Sequence, residues 1–74
     1  MALETKTTND LIRIAAAGGG LRFNGGVRTT DELIRIAAAA SGHGSRIFLS
    51  GMGARTTDDL IRISAAGEGA IVFE

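Results

Sequence analysis

The chain has 74 residues, with eight basic and eight acidic side chains that cancel to zero formal charge. That length allows one small domain, and the absence of cysteine excludes a disulfide framework, a thiolate metal site and a cysteine nucleophile. A hydrophobic content of 45% without net charge is not that of a disordered chain. No apolar run approaches the roughly 18 residues of a membrane span, and no N-terminal segment reads as a signal peptide, so a compact, soluble, cytoplasmic domain is expected.

In chain order, Ala2-Leu3-Glu4 reads as a vestigial strand, because it matches the end of Val72-Phe73-Glu74. Lys6-Thr7-Thr8-Asn9-Asp10-Leu11-Ile12-Arg13-Ile14 then opens a helix. Thr7 is its N-cap, since a Thr hydroxyl accepts from a free N–H two or three positions on. Gly18 stops the helix, and Leu21-Arg22-Phe23-Asn24, short and bounded by Gly, reads as a strand. The segment recurs at Arg28-Thr29-Thr30 and at Arg55-Thr56-Thr57, starts that follow at spacings of 22 and 27 residues. Thr29 with Glu32 forms a capping box. Leu33, Ile36, Ala37 and Ala40 fall on one helical stripe. Gly42 stops this second helix and Ile47-Phe48-Leu49-Ser50 is its strand. The third helix runs from its cap Thr56 to a stop at Gly67, and Ile71-Val72-Phe73-Glu74 is the last strand.

The expected fold is therefore α/β: a short tandem-repeat, solenoid-like layer in one domain, 1–74, of three helix–strand repeats at approximately 6–27, 28–54 and 55–74. Strand–helix–strand units this short imply parallel pairing, with three to four short strands. Right-handed crossovers in sequential order place the three helices on one face of the sheet. Leu21, Phe23, Ile47, Leu49, Ile71 and Phe73 should face those helices. Arg22, Phe48 and Val72 should point the other way, onto a face with nothing over it. Parallel sheets are ordinarily covered on both faces, so these three residues are the candidate interface, and the partner expected is a second copy of the chain. The strand edges and repeat ends offer further surfaces for a closed dimer or an extended array.

A second function class comes from the strand-to-helix turns. A Gly-rich turn, a cation, a hydroxyl and free helix N–H groups together suit an anion. The residues are Lys6, Thr7, Arg28, Thr29, Gly53, Arg55 and Thr56, and the ligand would be a phosphate-bearing or other anionic small molecule, or a polyanion. The plainer account is that Thr caps, Gly turns, and Arg28 or Arg55 pairs with a neighbouring acid. Gly51-Met52-Gly53-Ala54-Arg55-Thr56 begins like a dinucleotide-binding turn, with Glu74 a strand later, but Thr56 stands where the third Gly is required. Arg13, Arg35 and Arg62 lie mid-helix, with Asp31–Arg35 and Asp58–Arg62 spaced for ion pairs. Zero net charge argues against nucleic acid as a partner.

His43 stands alone between two Gly, which suits neither a metal set nor a general base. No Ser has a nucleophile-elbow context. The expectation is a non-enzymatic protein without metal or cofactor, acting through self-association and protein binding.

Overall fold

The computed structural model describes residues 5–74. The Ala2-Leu3-Glu4 strand lies outside the described residues. Helix α1 spans Thr8–Ala16, strand β1 Leu21–Asn24, α2 Thr30–Ala40, β2 Ile47–Ser50, α3 Thr57–Gly67 and β3 Ile71–Phe73, and a 3-10 turn, Gly25–Val27, joins β1 to α2. The three strands form one parallel sheet in the order β1-β2-β3.

Each helix starts where a Thr can cap it. The hydroxyls of Thr7, Thr29 and Thr56 accept from the N–H groups of Asp10, Glu32 and Asp59. At α2 the Glu32 carboxylate also accepts from the Thr29 N–H, which completes the capping box.

Helix ends differ from one another. Gly18 and Gly42 follow their helices with positive φ, the left-handed conformation that Gly adopts without a Cβ clash. Gly67, expected to be a stop, is instead the last residue of α3, and Glu68 takes the left-handed position. What the site requires of Gly67 is space: a Cβ there would stand 2.5 Å from Cγ1 of Ile71.

One face of the sheet is sealed. Leu21, Phe23, Ile47 and Leu49 are buried with Leu11 and Ala15 of α1, Leu33 and Ile36 of α2 and Ile63 of α3. Helix α2 packs on α1 to one side and α3 to the other. Met52, from the turn after β2, is buried in the same cluster. A Cβ on Gly25 would meet its sulfur at 2.7 Å, so Met52 fills the space a side chain at Gly25 would need.

Burial is uneven along the sheet. Ile71 and Phe73 face the core but are only half-buried, as is Leu60 of α3. Their counterparts in the first two helix–strand pairs are sealed. No helix among the described residues is long and apolar enough to cross a membrane.

Candidate functional site

The pairing register sets Arg22, Phe48 and Val72 side by side across β1, β2 and β3. Alternation along each strand turns them away from the helices. Phe48 and Val72 are half-buried and stand apart from the core cluster, and Arg22 is exposed. The Arg22 guanidinium lies over the Phe48 ring, 4.6 Å from its centroid, and its Nη1 reaches Glu74 at 2.9 Å. Arg22 thus arches over the ring toward the residue just past β3. Glu74, the acid a strand after the Gly51–Thr56 turn, is the end of that clasp. Pattern alone assigns Arg22 to this face but does not reveal the arch, which depends on strand register and side-chain length.

The cations of the strand-to-helix turns have partners inside the chain. Arg28 donates from Nη1 to the Thr8 hydroxyl at 2.8 Å and from Nη2 to the Lys6 carbonyl at 2.7 Å. Arg55 donates to the Thr30 hydroxyl and to the carbonyls of Gly25 and Arg28. Neither arginine forms an ion pair with an acid among the described residues; each donates instead to hydroxyl and carbonyl oxygens of earlier segments of the chain. The hydroxyls pass the contact on: Thr8 donates to Glu32 at 3.1 Å, and Thr30 to Asp59 at 3.5 Å. Each junction thus carries the same chain, from Arg to Thr to the acid that follows the Thr cap.

The Glu32 carboxyl is held below the ordinary glutamate pKa, chiefly by the Thr29 backbone N–H and next by the Thr8 hydroxyl. Arg28 also places its guanidinium 5.6 Å from the Phe23 ring centroid, while its Nε is buried with no partner among the described residues.

The other candidate anion residues do not form a comparable cluster. Lys6, Thr7, Thr29 and Thr56 are exposed, the threonines as caps, and Gly53 is exposed with no neighbour close to where a Cβ would stand. Arg62 approaches Asp59 at 3.7 Å and Asp31 of α2 at 4.0 Å, instead of the expected Asp58. It leans across to the neighbouring helix, which spacing along its own helix does not show. No Asp31–Arg35 ion pair forms among the described residues, where these three contacts of Arg22 and Arg62 are the ion pairs found.

Ser45 is a contact the sequence pattern misses. It is buried, and its hydroxyl donates to the Ala15 carbonyl at 2.6 Å, satisfying the end of α1 from the loop before β2. His43 is exposed. Among the described residues no three His, Cys, Asp or Glu side chains group to hold a metal ion. Compared with protein-family models, with curated proteins and with solved structures, the chain has no match in any of the three.

Proposed function

We propose that this protein is a non-enzymatic, solenoid-like repeat module of the cytoplasm that works by self-association. The observation that carries the reading is the row Arg22, Phe48 and Val72 on a parallel sheet whose opposite face alone is packed by helices. Fully burying a Phe or Val side chain contributes roughly 1.5–3 kcal/mol. A single core in a domain this small supplies only about 3–5 kcal/mol, so covering two such residues matters to the whole molecule. Two copies meeting face to face would bury Phe48 and Val72 of each. The Arg22–Glu74 pair that crosses over Phe48 would have to swing aside or exchange partners between the copies, Arg22 of one meeting Glu74 of the other in a two-fold contact.

Assembly is favoured over the phosphate or polyanion site because Arg28 and Arg55 direct their donors to oxygens within the chain. The Thr caps likewise accept from the amides an anion would need.

Sedimentation of the chain should give a dimer or larger species, and Phe48→Glu should dissociate a face-to-face form. A clean monomer at high micromolar concentration overturns the proposal.

A further inference from the structure

The contact between consecutive helix–strand pairs has two different sides. On one side Thr8 and Thr30 make the hydrogen bonds across the junction, and helical spacing sets Ile12 and Ile34 one turn further along the same face, all four half-buried. The other side is a cation, an Ile and an Ala. Arg28, Ile36 and Ala39 supply it in the second pair, and Arg55, Ile63 and Ala66 in the third. There the arginines and alanines are half-buried, and Ile36 and Ile63 are 1% and 0% exposed.

Among the described residues each side also occurs once without its match. On α3, Thr57 is exposed and Ile61 is 58% exposed, although their counterparts are half-buried. On α1 Ile14 is half-buried where its counterparts are sealed, and Ala17, the C-cap of α1, is exposed where its counterparts are half-buried. Lys6, exposed, stands where Arg28 and Arg55 stand in the later pairs. Lys6, Asp10, Arg13, Ile14 and Ala17 line a shallow groove of ≈ 430 Å³ on that flank.

We propose that the α3 flank of one molecule docks on the α1 flank of a second copy, continuing the contact that already joins consecutive pairs within the chain. Ile61 enters the groove beside Ile14 and Ala17. Lys6 of one copy donates to the Thr57 hydroxyl of the other, and that hydroxyl donates to Asp10, as Arg28, Thr8 and Glu32 do inside one molecule. The second copy fits because it presents the same residue types, with cation and acid in the same order, as the junctions already formed. The two flanks differ, so the contact is head-to-tail and open-ended. This inference rests on the self-association reading and assigns that association a surface other than the open sheet face.

The test uses the 74-residue chain and two variants at exposed positions, Ile61→Arg and Ala17→Arg, with circular dichroism confirming that each folds. Sedimentation of the wild type should show mass rising with concentration without a fixed stoichiometry. Each variant alone should lose at least about tenfold in association, from the apolar contact denied. Mixed in equal amounts, they should form a one-to-one heterodimer, because each keeps the flank the other has lost. Lys6→Arg should tighten the wild-type assembly, since a guanidinium supplies more donors than an ammonium.

If both variants assemble as the wild type does and only Phe48→Glu dissociates them, the head-to-tail contact is overturned and self-association stands. If the mixture stays monomeric, the contact is overturned as well. If the wild type is monomeric throughout, both proposals fall and the flanks serve a different partner or none.

Discussion

Arg28 donates to the hydroxyl of Thr8, which lies in the helix–strand pair before its own, at 2.8 Å. Arg55 stands in the same relation to Thr30. Each of these cations ties one helix start to the next. Arg suits the task because its planar fork of donors reaches a hydroxyl and a carbonyl together, which a Lys ammonium does less well.

Arg55→Met is expected to destabilise the protein by about 1.5–3 kcal/mol, the range for hydrogen bonds to charged groups. It removes the donor to Thr30 and leaves the carbonyls of Gly25 and Arg28 without that partner. Arg28→Met should cost less, because Arg28 already carries a buried Nε without a partner. Arg55→Lys should recover part of the loss. Urea unfolding of the three variants checks the order, and equal midpoints for Arg55→Met and the parent chain would contradict it.

Core truncations should divide by position along the sheet. Leu33 is 1% exposed, and Leu33→Ala is expected to cost about 2–5 kcal/mol, from lost burial and the cavity left behind. In a domain of this size that removes most of the folded population. Leu60 holds the equivalent place in α3 but is half-buried, so Leu60→Ala should cost less than half as much and leave a cooperative transition. Thermal unfolding followed by circular dichroism reads both.

Acid sensitivity should involve Glu32. Its folded pKa is lowered, first by the Thr29 N–H and then by the Thr8 hydroxyl. A depressed folded pKa means the unfolded chain takes up the proton first as pH falls. The carboxylate's contribution is thus complete above the ordinary glutamate pKa and lost as pH drops through the lower folded value. Glu32→Gln keeps a capping-box acceptor but carries no charge, so it should flatten the acid limb of the stability profile by removing the stability the carboxylate adds near neutral pH. An NMR titration of the Glu32 carboxyl should place its midpoint below that of an unstructured glutamate; a midpoint at or above it would contradict this account.

The helices and strands were legible because their signals are local. Thr7, Thr29 and Thr56 announce the helix starts, and alternation in Ile47-Phe48-Leu49-Ser50 announces a strand and its faces. Junction chemistry was not legible. Whether Arg28 meets an acid or Thr8 depends on how far one helix–strand pair is offset from the next, and nothing within either segment encodes that offset. Arg62 misleads for the same reason, since its cross-helix neighbour Asp31 is distant in sequence. Gly67 reads as a helix stop by position, yet it is needed where Ile71 closes on α3, a contact that exists only after β3 is laid down. Of the candidate interface, the identity of the row was legible and the arch of Arg22 over Phe48 was not.

The half-burial of Leu60, Ile71 and Phe73 has a consequence for how the molecule comes apart. Ile47 and Leu49 anchor the middle strand, whereas β3 is three residues long and thinly covered. Local opening is cheapest where few apolar contacts must be broken. The last strand therefore opens more often than the middle strand, and its amides trade protons with solvent before those of β2 do.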